Sequence, residues 1–165
     1  MPKEIERKFI VATLPPADEL GRGVHIRQGY LAEEGDVEAR VRLTDEGCTI
    51  AVKAGGGLSR TEVEREISLA DAEALWEHTV GRRIDKTRYR IRIDDHVAEV
   101  DIYAGALQGF QSVEVEFASE TDAAQFAPPA WFGREVTEDR AWNNATLARR
   151  GLPPDWTSET VDAGS

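Results

Sequence analysis

The sequence has little cysteine, little histidine and no long apolar run. Cys48 is the single cysteine, which excludes an internal disulfide and any cysteine-based zinc or redox motif. The histidines, His25, His78 and His96, are too scattered to predict a metal site. No stretch approaches the roughly 20 apolar residues of a membrane-spanning helix, and the N-terminus is charged where a secretion signal is apolar. These absences predict a soluble, cytoplasmic protein that does not associate with membranes.

Acidic residues outnumber basic ones. The chain has 31 Asp and Glu against 20 Lys and Arg, which gives a formal net charge of −11. Such a charge repels nucleic acid and anionic membranes, so we expect neither as a partner. A polyanion that binds this chain must therefore meet a concentrated basic site.

The length of 165 residues and the 41% hydrophobic content suit one domain with its own core. No repeat or linker interrupts the pattern, so we expect a single domain over residues 1–151. Residues 152–165 lack periodicity and are expected to form a flexible tail. Neither length nor charge decides between a monomer and a homodimer.

Apolar and polar side chains alternate with a period of two over most of the chain, which is typical of half-buried strands. Turn residues such as Gly and Asp separate the runs, so most neighbours should pair as antiparallel hairpins. Eight strands are predicted near residues 3–11, 24–33, 37–44, 48–54, 60–68, 84–93, 97–104 and 111–118. Helical spacing predicts three helices, over 68–81, 119–126 and 142–150.

Charged side chains occupy one face of these strands and apolar side chains the other. Two barrels fit the pattern: an apolar interior with a charged exterior, or a charged interior with an apolar exterior covered by the helices. For any one strand the solvated outer face is the better interpretation, because charged residues are rarely buried unpaired. A charged interior would need a ligand, and a polyphosphate with a divalent cation would suit both the basic and the acidic side chains.

An ordered set of motifs resembles one family. Residues Glu4-Ile5-Glu6-Arg7-Lys8 resemble the ExExK signature of the CYTH superfamily, the triphosphate tunnel metalloenzymes. The rest of that pattern follows in order, as Arg40-Val41-Arg42, Lys53, Arg60-Thr61-Glu62-Val63-Glu64, Lys86-Thr87-Arg88 and Glu114-Val115-Glu116. The similarity extends from about residue 3 to residue 150.

The resemblance implies a mainly β fold: a closed eight-stranded antiparallel barrel, or tunnel, with a charged lumen and a few outer helices. It implies metal-dependent hydrolysis of a triphosphate, above all inorganic tripolyphosphate to pyrophosphate and orthophosphate, with Mg²⁺ or Mn²⁺. An adenylate cyclase and a thiamine triphosphatase are the alternatives within the superfamily. Outside enzymes, the alternatives are a non-catalytic polyphosphate-binding module and a barrel that binds a small apolar ligand.

The resemblance also implies roles for individual residues. The residues expected to bind the substrate are Lys8, Arg40, Arg42, Lys53, Arg60, Lys86 and Arg88. The residues expected to hold the metal are Glu4, Glu6, Glu62, Glu64, Asp101, Glu114 and Glu116. Catalytic roles fall to Lys8, Tyr30 and Lys86. Tyr30 is expected either to orient Lys8 or to pack as an ordinary strand aromatic. The run Gly55-Gly56-Gly57 lacks the ending of a phosphate-binding P-loop and is interpreted as a hairpin connection.

Overall fold

The alternating runs form strands at the predicted places. The structure is a computed structural model and describes residues 3–156. Its strands are β1 Lys3–Val11, β2 Val24–Glu34, β3 Val37–Thr44, β4 Gly47–Ala54, β5 Ser59–Ile67, β6 Arg83–Ile93, β7 His96–Tyr103, β8 Gln111–Glu116 and β9 Phe132–Glu135. Its α-helices are α1 Ala17–Leu20, α2 Leu69–Trp76, α3 Glu120–Gln125 and α4 Asn144–Arg150. Single 3₁₀ turns occupy Glu77–Thr79, Gly105–Leu107 and Arg140–Trp142. None of the helices within residues 3–156 is long and apolar enough to cross a membrane.

Strand β1 closes the sheet into a barrel. The strand order is β5-β4-β3-β2-β6-β7-β8-β1, and the start of β1 also pairs with β5, where Glu4 lies opposite Arg60. On its other edge β1 pairs with β8, where Lys8 lies opposite Glu114. These pairings are antiparallel, and closure leaves the eight barrel strands without a free edge along the ring. The predicted eight-stranded antiparallel barrel is confirmed.

The short strand β9 is an addition that the sequence did not predict. It pairs with the end of β1, where Phe9 lies opposite Glu135 and Val11 opposite Phe132. Four residues are too few for an alternating pattern to stand out, and they follow a Pro128-Pro129 pair that marks a loop. Strand β9 therefore extends the barrel wall beside β1 and takes no part in its closure.

The barrel has a charged interior and an apolar exterior. On the outside, Val41, Leu43 and Cys48 pack under Ala72 of helix α2. A second outer cluster joins strands β1, β7 and β8 to helix α3 and strand β9 and contains Phe9, Val11, Ala98, Val100, Val113, Val115, Phe117, Ala123 and Phe132. The charged-interior arrangement implied by the family resemblance is confirmed, and the helices supply the outer cover that it requires.

An aromatic cluster packs beneath the segment that leads into helix α4. It contains Tyr30, Tyr103, Phe110 and Trp142, and Trp142 is 1% exposed. Leu152 and Trp156 pack against this cluster, with the Trp156 ring 5.8 Å from that of Phe110. The predicted flexible tail over 152–165 thus begins with packed residues, and its remainder, 157–165, lies outside the described residues.

Candidate active site

The lumen of the barrel holds a polar cavity of about 390 Å³. A second cavity of about 190 Å³ adjoins it, and the two share Arg42, Glu64, Arg88 and Arg90. Because side chains two residues apart on a strand point to the same side, the charged faces of successive strands converge here. The lumen therefore holds two adjoining charged chambers, which together are called the passage.

Most of the residues predicted for the site line the larger chamber. They are Glu4, Glu6, Lys8, Tyr30, Arg40, Arg42, Lys53, Arg60, Glu62, Glu64, Arg88, Glu114 and Glu116. Lys86 and Asp101 are absent from this lining. Both are 0% exposed and lie behind the chamber wall.

Arg40, Arg42 and Arg88 form the basic side of the passage. Arg40 Nη2 lies 3.5 Å from Glu64 Oε2. Arg42 donates two hydrogen bonds to Gln28 Oε1, at 3.2 Å from Nε and 2.9 Å from Nη2. Burial, together with the charges of Arg40 and Arg88, lowers the pKa of Arg42 to about 10. Positive charge is concentrated here to the point of self-repulsion, which an anion would relieve.

Asp101 ties Lys86 and Arg88 into a buried cluster. Its Oδ2 accepts hydrogen bonds from Lys86 Nζ at 2.8 Å and Arg88 Nη2 at 2.9 Å, and its Oδ1 accepts from Arg88 Nε at 2.8 Å. Burial lowers the pKa of Lys86 to about 7, although the charge of Asp101 opposes this. Burial would raise the pKa of Asp101, but Arg88 and Lys86 outweigh it and hold that pKa below its usual range. The oxygens of Asp101 are thus engaged by cations, so the structure does not offer this residue as a metal ligand or Lys86 as a phosphate contact.

Lys8 and Tyr30 have separate partners. Lys8 Nζ donates a hydrogen bond to the carbonyl oxygen of Trp142 at 2.7 Å and lies 3.7 Å from Glu114 Oε1. The Tyr30 hydroxyl accepts a hydrogen bond from Gln28 Nε2 at 2.8 Å. In this structure the turn before helix α4 and Glu114 orient Lys8, rather than Tyr30 as predicted.

Carboxylates crowd the opposite side of the chamber. Glu6 lies opposite Glu116 on neighbouring strands, and neither has an ion pair among the described residues. Burial raises the pKa of Glu6 well above its usual value, and the charges of Glu114 and Glu4 raise it further. Burial likewise raises the pKa of Glu116, with Glu4 and Glu99 adding to the effect.

Glu4 and Glu62 share the cation Lys53. Lys53 Nζ lies 3.0 Å from Glu4 Oε2 and 3.4 Å from Glu62 Oε2. Burial and a hydrogen bond with Glu4 raise the pKa of Glu62 to about 7. Burial also favours the neutral form of Glu4, but the hydrogen bond with Glu62 and the charge of Lys53 outweigh it and lower the pKa of Glu4. One ammonium group therefore serves several carboxylates, and this side of the chamber is short of positive charge.

The donor set suits a hard divalent cation. Carboxylate oxygens are the ligands that Mg²⁺ and Mn²⁺ prefer. Within the described part of the chain, Glu6 and Glu116 face each other without an ion pair, and the buried Glu4 Oε2 lies 3.0 Å from Lys53 Nζ, which it shares with Glu62. The ligands do not yet converge: in the part of the chain that the structure describes, no three His, Cys, Asp or Glu side chains are arranged to hold a metal. The carboxylate oxygens therefore suit a divalent cation, and these side chains have to rotate to bring their oxygens together around it.

Several lining residues had no assigned role in the sequence analysis. They are Lys3, Glu38, Arg90, Glu99, Asn143 and Asn144. Glu38 shares the strand phase of Arg40 and Arg42, so the same alternation identifies it, and it lies 3.5 Å from Arg60. Asn143 and Asn144 come from the turn into helix α4, where strand alternation gives no signal.

A larger cavity of about 540 Å³ lies beside helix α4 at the barrel mouth. It shares Glu38, Arg60 and Asn143 with the lumen and is walled in part by Leu152 and Pro153. Its wall has four arginines, Arg60, Arg140, Arg149 and Arg150, but none of the carboxylates predicted to hold the metal. The chemistry of the site therefore resides inside the barrel.

Comparisons with known proteins agree with this site. A scan against protein-family models finds no match. An inorganic triphosphatase from Nitrosomonas europaea is 46% identical over 147 residues, which cover 88% of this chain and 96% of the relative. An inorganic triphosphatase from Acetivibrio thermocellus is 36% identical over 151 residues, covering 90% and 95%. A solved crystal structure of an inorganic triphosphatase superposes with a TM-score of 0.67 at 41% identity and covers 91% of this chain and 97% of that one.

The two sequence relatives match almost from end to end, and the structural match reproduces the barrel that carries the charged lumen. By its fold, its ordered motifs and this degree of identity, the chain belongs to the inorganic triphosphatases of the CYTH superfamily, the triphosphate tunnel metalloenzymes.

Proposed function

We propose that this chain hydrolyses inorganic tripolyphosphate to pyrophosphate and orthophosphate in a reaction that depends on Mg²⁺ or Mn²⁺. The observation that carries the proposal is the division of the lumen. On one side the charges of Arg40 and Arg88 act against that of Arg42, which has no ion pair among residues 3–156. On the other side Glu6 and Glu116, which face each other, have no ion pair within the same residues. A metal–triphosphate complex supplies both missing partners at once.

The basic residues bind and orient the anion. Arginine donates paired hydrogen bonds to phosphate oxygens, so Arg40, Arg42 and Arg88 can hold successive phosphates along the passage. Lys8 and Lys53 stand on the carboxylate side, where each already bridges to a glutamate. They would hold the end of the chain that lies nearest the metal ligands. Arg60 stands at the mouth with Glu38 and would meet the chain there.

The acidic residues hold the metal and the attacking water. Glu4, Glu6, Glu114 and Glu116 would ligate the ion, with Glu62 and Glu64 near it. Once bound, Mg²⁺ or Mn²⁺ neutralises charge on the phosphate oxygens. Glu62, whose pKa of about 7 suits a general base, can take a proton from water. The water oxygen then bonds to a terminal phosphorus in line with the bridging oxygen that leaves with pyrophosphate.

The walls of the lumen favour an inorganic substrate over ATP. A cyclase has to hold adenine while the ribose hydroxyl attacks the α-phosphorus. Tyr30 is the one aromatic ring among the described residues that line the larger chamber, and it is 2% exposed. The chamber therefore lacks a platform on which a base could stack.

A product assay tests the proposal. The purified protein is incubated with tripolyphosphate, ATP or thiamine triphosphate, with and without Mg²⁺ or Mn²⁺, and the products are followed. We expect metal-dependent release of orthophosphate, fastest from tripolyphosphate. Cyclic AMP with pyrophosphate would identify a cyclase instead. Tight binding of tripolyphosphate without turnover in either metal would identify a binding module.

A further inference from the structure

Gln28 is a fully buried amide at the centre of the lumen wall. It lies on strand β2 between Arg42 of β3 and Ile84 of β6 and is 0% exposed. Its Oε1 accepts two hydrogen bonds from Arg42, at 3.2 and 2.9 Å, and its Nε2 donates to the Tyr30 hydroxyl at 2.8 Å. Arg42 fixes which end of the amide faces it, because a guanidinium only donates and only the oxygen end can accept; the Tyr30 hydroxyl, which can donate or accept, adapts to the nitrogen end. The amide therefore has a single orientation.

Arg42 differs from the other basic residues around it in the chemical type of its side-chain partner. Six cations of the lumen lie between 2.8 and 3.7 Å from a carboxylate oxygen: Lys8, Arg40, Lys53, Arg60, Arg88 and Arg90. Arg42 has no such ion pair with any residue between 3 and 156 and is held by a neutral side chain instead. A carboxylate in place of the amide would fix its direction equally well but would cancel its charge.

The position of Arg42 in the lumen makes its lack of an ion pair important for anion binding. It lines both chambers of the lumen, so an anion that enters either one meets it. The guanidinium lies among Arg40 and Arg88, and it does so without a counter-ion of its own. Holding a guanidinium in this position needs a strong acceptor, and keeping its charge free for a ligand needs that acceptor to be neutral.

We propose that Gln28 is a positioning residue that holds Arg42 in place while leaving its charge uncompensated for the phosphates of the substrate. The inference rests on the proposed function. Gln28 is a neutral side chain that is not expected to touch the substrate. Through Arg42 it would still influence how tightly the polyanion binds.

Two substitutions at this position separate electrostatics from shape. Gln28→Glu keeps the size and both hydrogen-bonded contacts but pairs Arg42 with a negative charge. Gln28→Leu keeps the charge of Arg42 free but removes both contacts and leaves buried donors unsatisfied. We expect Gln28→Glu to retain near wild-type stability and to lose tripolyphosphate affinity by roughly tenfold or more, the effect of cancelling one nearby charge. We expect Gln28→Leu to lose more stability and less affinity.

The measurement is binding of tripolyphosphate to the metal-free protein by titration calorimetry, with KM and kcat measured in the presence of metal. The change in Gln28→Glu should fall mainly on KM. Gln111→Glu is the matched control, because it makes the same chemical change on β8 in the strand phase opposite to Ser112 and Glu114, outside the lumen. Its affinity should equal that of the wild type.

A double-mutant cycle tests whether Gln28 acts through Arg42. In an Arg42→Ala background, Gln28→Glu should cause little further loss of affinity, since a buried carboxyl with no guanidinium beside it takes up a proton and adds no charge. Equal losses in both backgrounds would overturn the inference, as would a Gln28→Glu variant that binds as well as the wild type or more tightly than Gln28→Leu. These outcomes count against Gln28 alone when the wild type hydrolyses tripolyphosphate, whereas a wild type that does not hydrolyse it contradicts the proposed function itself.

Discussion

Buried charges are fully paired on one side of the lumen and incompletely paired on another. The cluster of Lys86, Arg88 and Asp101 is saturated, with three hydrogen bonds between 2.8 and 2.9 Å on one carboxylate. On the carboxylate side Glu6 and Glu116 face each other with no ion pair among residues 3–156, and one ammonium group, that of Lys53, serves both Glu4 and Glu62. A saturated cluster can stabilise the fold, whereas unpaired groups cost stability until something binds. We therefore infer that Asp101 and Lys86 support the barrel, that Arg88 reaches from this cluster into the chamber, and that the carboxylate side serves the ligand.

The largest effect should follow from breaking the saturated side. Asp101→Asn removes the carboxylate that neutralises Lys86 and Arg88, and it should destabilise the protein by about 3–5 kcal/mol, the usual cost of leaving a buried charge unpaired. The free energy of unfolding in urea measures this. Glu99→Gln is the control: Glu99 contacts Arg88 at 3.4 Å but is 25% exposed, so its loss should cost about 1 kcal/mol or less.

Removing unpaired groups should affect activity and leave the fold intact. Glu6→Gln and Arg42→Ala should each lower kcat/KM by roughly 10² to 10³-fold, the range found when one preorganised electrostatic contact is lost. Glu6→Gln should not lower the melting temperature, because Glu6 does not belong to the apolar core. Arg42→Ala leaves the buried Gln28 Oε1 without its donors and should cost about 1–3 kcal/mol of stability while the fold remains intact. Glu73→Gln, on the exposed outer surface of α2, should retain wild-type rates. Unchanged rates in both lumen variants would defeat the site assignment.

The carboxylate side of the lumen should also contribute to the pH dependence of stability. Burial raises the pKa of Glu62 to about 7, so the folded protein takes up protons that the unfolded chain does not bind. Stability should then be greatest below about pH 4.5 for this group and fall by about 1–2 kcal/mol, after allowance for solvent screening, as pH rises to 7. Urea unfolding at pH 5, 6 and 7 measures the slope.

Mg²⁺ or Mn²⁺ should flatten this slope at millimolar concentration, since the ion favours the ionised carboxylates. Glu62→Gln should flatten it without metal. If neither treatment changed the pH dependence of stability, these carboxylates would not form a metal site.

The smallest effect should come from Tyr30. Its hydroxyl accepts one hydrogen bond from Gln28 and makes none with Lys8. Tyr30→Phe should therefore cost about 1 kcal/mol of stability and lower kcat less than tenfold. A loss as large as that of Arg42→Ala would show that Tyr30 works directly on Lys8 or the substrate during turnover.

Strand alternation predicted the barrel and most of its lumen. It placed Arg40 and Arg42 on one face and Glu114 and Glu116 on another, and the structure brings these faces together. Alternation alone could not decide which face points inward, because that choice depends on where the helices pack. The family resemblance made the choice, and the packing of Ala72 over Val41 and Leu43 confirms it.

Other features depend on contacts that no local pattern encodes. Lys86 and Asp101 follow the same alternation as Arg88 but pair behind the chamber wall, since their depth along the barrel depends on register. The carbonyl oxygen of Trp142 contacts Lys8 from a residue 134 positions away. Gln28 gives no signal in the sequence, because a neutral amide does not stand out among charged rows.

The most direct test of the divided lumen is a crystal structure with Mn²⁺ and a non-hydrolysable tripolyphosphate analogue. The account predicts an anomalous manganese peak among Glu4, Glu6, Glu114 and Glu116, with phosphates on Arg40, Arg42 and Arg88. Manganese and phosphate bound outside the barrel, with the lumen side chains unmoved, would contradict it.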